Sequence, residues 1–172
     1  QDKNKIALIG MPLAGKSAVG RALSEQTGMR HVDLDEEIEK KHGSIASVFA
    51  EVGEEGFRKR EEEALREIFL TFAAEPLIVS TGGGTPLRAG SVDLLQRHCV
   101  VVWLRVSLMA LSRRAHSDGA QRPLLAGEKT QKLQVLYEQR QDVYAFADII
   151  IDAEGKSAEE IAQEIKKAVG IN

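Results

Sequence analysis

Residues Gly10-Met11-Pro12-Leu13-Ala14-Gly15-Lys16-Ser17 fit the spacing G-x-x-x-x-G-K-[ST] and lie between a short apolar run and a helical pattern. That context is the one in which the spacing forms a phosphate-binding loop. Such a loop turns successive backbone N–H groups inward onto phosphate oxygens, and the following helix adds the positive end of its dipole. Gly15 lets the backbone approach closely, Lys16 brings a mobile cation to the β- and γ-phosphates, and Ser17 offers a hydroxyl to Mg²⁺. Leu13, Ala14, Gly15, Lys16, Ser17 and Ala18 are therefore expected to touch a nucleoside triphosphate. Two common companions of this loop are missing. No Asn/Thr-Lys-x-Asp base-reading segment follows a later strand, and the apolar runs Leu77–Ser80 and Val100–Leu104 pass into Thr81 and Arg105 where a metal-associated Asp is usual. A metal-associated carboxylate has to come from elsewhere.

Asp33 and Asp35 are the candidates. They follow a short strand-like run, and their i, i+2 spacing would place both on one side of an extended segment. One could face Mg²⁺ and the other an incoming hydroxyl; alternatively, Asp35 only caps the helix that follows. Arg58 sits in Gly53-Glu54-Glu55-Gly56-Phe57-Arg58-Lys59-Arg60-Glu61. Local sequence reads it as one member of the i, i+4 ion pairs of a solvated helix. Gly82-Gly83-Gly84 carries a large entropic cost, so something approaches that backbone closely, either a ligand or a tight turn. Arg122, before Pro123, stands in a polar stretch from about 116 to 128 that reads as a lid over phosphate oxygens or as a surface connection. Arg140 could fork onto a carboxylate or lie on a helix surface.

The elements that must hold these residues alternate. Ile6–Ile9, Leu77–Ser80, Cys99–Leu104 and Asp148–Ile151 read as strands buried on both faces, with His31–Leu34 a weaker one. Helical patterns occupy residues 16–27, 44–51, 54–73 and 129–146. A last helix opens with the capping box Ser157-Ala158-Glu159-Glu160. The alternation predicts an α/β fold with right-handed crossovers.

The 172 residues suit one domain. A net charge of −3 excludes the basic excess of a nucleic-acid binder. No apolar run is long enough to span a membrane. The single cysteine, Cys99, excludes an intrachain disulfide and a cysteine zinc cluster. The polar opening Gln1–Lys5 has no signal-peptide core, so a cytoplasmic location is expected; separately, a monomer is expected.

Taken together, the loop at 10–17, Val32-Asp33-Leu34-Asp35, Gly53–Arg58, Ser80–Gly84, Arg122-Pro123-Leu124-Leu125 and Arg140 followed by Tyr144 make the chain resemble shikimate kinase over residues 5–170. The resemblance implies a three-layer α/β/α P-loop fold, with a five-stranded parallel sheet in the order 2-3-1-4-5. It implies one domain over residues 1–172, with a mobile lid at about 116–128 and a substrate-binding helical region at about 34–61. It implies ATP-dependent phosphorylation of shikimate, with Mg²⁺, in aromatic amino-acid synthesis. On that resemblance Asp33 and Ser17 serve the metal and Asp35 holds the accepting hydroxyl. Arg58, Arg140 and the backbone of Gly82, Gly83 and Gly84 hold shikimate. Lys16 and Arg122 act on the transferring phosphoryl group, and Arg114 and Lys156 lie near the adenine.

The chain departs from the family's pattern at Leu13, where a glycine is common, and at Ala18, where threonine is. A positive φ at position 13 would disfavour leucine. A kinase for another hydroxylated acid, such as gluconate, and a non-catalytic ligand-binding module are the rival readings. Retention of Lys16, Asp35 and the arginines speaks against the second.

Overall fold

A computed structural model describes residues 3–118 and 129–171. The five strands are β1 (Lys5–Ile9), β2 (Arg30–Asp33), β3 (Leu77–Ser80), β4 (Val100–Arg105) and β5 (Ile149–Asp152). They form one parallel sheet in the order β2-β3-β1-β4-β5. Every residue of β1 and β3 is buried, as expected for β-branched and aliphatic runs covered by helices on both faces. The helices are α1 (Lys16–Thr27), α2 (Leu34–His42), α3 (Ile45–Thr71), α4 (Ala89–His98), α5 (Leu108–Asp118), α6 (Lys129–Arg140) and α7 (Ala158–Val169), with a 3₁₀ turn at Thr85–Leu87.

Several boundaries differ from expectation. β2 stops at Asp33, because that residue accepts a hydrogen bond from the Glu36 amide and so begins α2 at Leu34. The two stretches expected at 44–51 and 54–73 are the two halves of α3, and the non-helical backbone of Gly53 divides them where the break was expected. The helix expected over 129–146 ends at Arg140, and hydrogen-bonded turns carry the chain to β5. α4 and α5 join the helical stretches read from the sequence. α5 also takes in residues 116–118 of the stretch read as a lid; the rest of it lies outside the described residues. The capping box at Ser157 and Glu160 is formed as its spacing predicts. Among the described residues, no helix is long and apolar enough to cross a membrane.

Candidate active site

The phosphate loop springs from the C-terminal end of the central strand β1, where open parallel sheets place their ligand crevice. The Ala14 amide donates to the Met11 carbonyl at 3.1 Å, closing the turn. Gly15, at φ 92°, is the N-cap of α1. Leu13 is left-handed too, at φ 72°, and the Arg114 Nη1 of α5 donates to its carbonyl at 2.7 Å. The Lys16 ammonium donates to the carbonyls of Gly10 and Met11 at 2.7 and 2.8 Å, so it lies folded over the loop it serves. The Ser17 hydroxyl donates to the Asp33 Oδ2, while Asp33 Oδ1 caps α2.

A second wall faces this loop. Glu61 is fully buried. Its Oε1 accepts from Arg58 Nη1 at 3.0 Å and its Oε2 from the Thr85 hydroxyl at 2.7 Å. Thr85 in turn accepts from the Gly82 amide at 2.9 Å. The Asp35 carboxylate comes to the same place: a Cβ on Gly82 would lie 3.1 Å from Glu61 Oε2 and 3.2 Å from Asp35 Oδ1. Burial, then the negative charges of Glu61 and Asp33, push the Asp35 carboxyl up to about 6, with Lys16 pulling the other way. A carboxylate whose proton affinity is raised toward neutrality is a better proton acceptor than a solvated one. Burial likewise raises the Glu61 carboxyl, opposed by the Arg58 charge and the Thr85 hydrogen bond.

Arg58 is buried on a bed of two stacked aromatic rings, Phe49 and Phe57, whose centroids are 4.4 Å apart. Arg140, at the end of α6, is only 6% exposed and acts on both Glu61 and Tyr144. Arg58 Nε and Arg140 Nη1 are buried and find no hydrogen-bond partner among the described residues. Buried N–H groups of a guanidinium are costly when unpaired. Two of them flanking one crevice mark a place built to receive an anion.

The structure thus brings together Lys16, Ser17, Asp33, Asp35, Arg58, the Gly82–Gly84 turn and Arg140. Asp33 and Asp35 do not share an extended segment: Asp33 ends a strand and Asp35 stands in the first turn of α2. Asp33, not Asp35, is the cap. Arg58 is no solvated ion-pair residue, although Glu54 does reach it at 3.8 Å. Arg114 grips the phosphate loop, whereas Lys156 stands on the turn before α7, paired with Glu164 at 2.8 Å. Arg122 lies outside the described residues. Glu61, Thr85 and Tyr144 were not singled out as site residues from sequence. For Glu61 the signal was there: it shares the apolar face of α3 with Phe57, Ala64, Leu65 and Ile68, and a carboxylate in such a stripe needs a buried partner.

Among the described residues no group of three or more His, Cys, Asp or Glu side chains could hold a metal ion. The Ser17–Asp33 pair offers hard oxygen donors beside the phosphate loop. That fits Mg²⁺, which takes one or two protein oxygens and completes its shell with phosphate and water.

Comparison with known proteins agrees with this geometry. A family profile described as Shikimate kinase matches residues 12–170. The shikimate kinase of Moorella thermoacetica is 39% identical over 165 residues, covering 95% of this chain and 93% of that protein. That of Persephonella marina is 40% identical over 161 residues, covering 93% and 95%. Among solved structures, a shikimate kinase from Acinetobacter baumannii in complex with shikimate superposes with a TM-score of 0.87 at 35% identity, covering 96% of this chain and 92% of that one. With the match running from inside the phosphate loop to the last helix, the chain belongs to the shikimate kinase family.

Proposed function

We propose that the chain transfers the γ-phosphoryl group of ATP to the 3-hydroxyl of shikimate, giving shikimate 3-phosphate and ADP. The observation that carries this reading is the pair of buried, partly unpaired guanidinium groups of Arg58 and Arg140, which share Glu61 and through it adjoin the Asp35 carboxylate at Gly82. A carboxylate on the acceptor would take the open N–H positions of both arginines. Its ring would then lie along the Gly82–Gly84 turn, with a hydroxyl at Asp35. Asp35 orients that hydroxyl and takes its proton as the bond to phosphorus forms.

Lys16, the loop amides and the helix end of α1 hold the phosphates. Ser17 and Asp33 would hold Mg²⁺, which neutralises phosphate charge. Arg114 steadies the loop at Leu13, on the side where the base would lie. Arg122, outside the described residues, is assigned to the transferring phosphoryl group. Catalysis of this kind is positioning plus charge stabilisation with water excluded, since water competes as acceptor.

The test is ADP release from MgATP in a coupled assay, with shikimate, with gluconate and with neither. Stimulation by shikimate alone is the expected result. Equal stimulation by gluconate, or none by either while nucleotide still binds, would overturn the reading.

A further inference from the structure

Tyr144 takes no part in the scheme above, yet it is a fully buried side chain at the site. Hydrogen-bonded turns after α6 hold it there, with the Ala147 amide on its own carbonyl at 3.1 Å. Its hydroxyl donates to the Gly83 carbonyl at 2.7 Å. The guanidinium of Arg140 faces the same hydroxyl oxygen, and Arg58 is near enough to act on it. On its other side Gly83 lies against the phosphate loop, where a Cβ would come within 2.6 Å of Pro12 Cδ.

A phenol has one proton to give and lone pairs to accept with. With the proton committed to Gly83, the oxygen can only accept toward Arg140. The hydroxyl therefore fixes two things at once: the plane of one arginine and the path of the glycine turn. We propose that the Tyr144 hydroxyl is a positioning residue for acceptor recognition, tying Arg140 to the Gly83 carbonyl so that the carboxylate seat is formed before the acceptor arrives. The proposal rests on the assignment of Arg140 to the acceptor carboxylate. It confines the effect to the acceptor, because the packing of Gly83 on Pro12 does not need the hydroxyl.

The test is Tyr144→Phe, Arg140→Lys and the double variant, assayed for the KM of shikimate and of ATP, with thermal unfolding alongside. Trp103 is the sole tryptophan and its ring centroid is 5.6 Å from that of Tyr144, so its emission in each variant checks that the packing around Tyr144 is kept. Tyr144→Phe should raise the shikimate KM about tenfold, as loss of a hydrogen bond to a charged group does, and move the ATP KM less than about twofold. In the Arg140→Lys background it should add less than about twofold, because two residues acting as a unit are non-additive. An unchanged shikimate KM, a parallel rise of both KM values, fully multiplicative effects, or a Tyr144→Phe chain that does not fold would each overturn the proposal. Wild-type protein without shikimate-dependent ADP release would instead defeat the assignment it rests on.

Discussion

The Arg58 guanidinium fills the space that a side chain on Gly84 would need. A Cβ there would collide with Nη2 and Cζ and would lie 2.7 Å from Nη1. Gly84 itself has φ −103° and ψ 3°, a backbone that alanine can adopt. Glu61 holds the guanidinium at 3.0 Å, so it cannot simply swing away. Gly84→Ala should therefore displace Arg58 rather than strain the turn. Steady-state kinetics should show the shikimate KM raised about tenfold or more, with the ATP KM changed less than about twofold. Equal changes in both would mean that the turn itself had moved.

Glu61 makes the matching prediction from the other partner. Glu61→Gln keeps the shape and the Thr85 contact but leaves Arg58 buried with only the exposed Glu54 as counter-charge, at 3.8 Å. Breaking one side of a buried pair costs about 3 kcal/mol, and chemical denaturation should show a loss of that order. The shikimate KM should rise as well. Unchanged stability would mean that the desolvation of Glu61 had cancelled the attraction.

Asp35 trades stability for chemistry. Its folded-state carboxyl is raised from 3.8 to about 6. A raised carboxyl stabilises the fold only while protonated, and that contribution is lost as pH climbs through about 6. Asp35→Asn should abolish turnover yet stabilise the protein by about 1–2 kcal/mol at pH 7.5, after discounting for partial exposure. The gain over wild type should fade only as pH falls below the unfolded value of 3.8, where both states become protonated, and should open between 3.8 and about 6. Thermal unfolding across that range checks the sign.

Leu13 is left-handed and buried. Leu13→Ala keeps the unfavourable φ and discards the packing, at a cost of about 2–3 kcal/mol. Leu13→Gly discards the same packing but relieves the backbone. The usual order should then reverse, with the glycine variant more stable than the alanine variant by about 0.5–1 kcal/mol. Equal unfolding temperatures would show that position 13 carries no strain.

The sheet was legible because its strands are unbroken apolar runs, and the phosphate loop because its spacing is long and specific. The second wall was not. Arg58 stands among Glu54, Lys59, Arg60 and Glu61, and i, i+4 pairing suits Arg58 with Glu54 just as it suits Lys59 with Glu55. Only tertiary packing buries Arg58 and Glu61 while leaving Lys59 outside. The order of strands, and the family roles of Arg58 and Arg140, came from the resemblance of the whole motif set, not from local pattern. The split between strand and helix at Asp33 and Asp35 escaped because one side chain ends β2 and caps α2 at once. Tyr144 escaped because a buried aromatic after a helix reads as core until the Gly83 carbonyl is seen beneath its hydroxyl.

β1 lies between β3 and β4, whereas β2 is an edge strand of four residues with Arg30 exposed. Local opening starts where backbone pairing is one-sided and burial is thin. Amide hydrogens of residues 6–9 should exchange with deuterium only on global unfolding, and those of residues 30–33 through smaller excursions. The phosphate loop is rooted in the slow strand and the Asp33 carboxylate in the fast one. A chain opened at that edge keeps its grip on phosphate and gives up the carboxylate that Ser17 holds, so the two halves of the nucleotide site differ in lifetime although they touch.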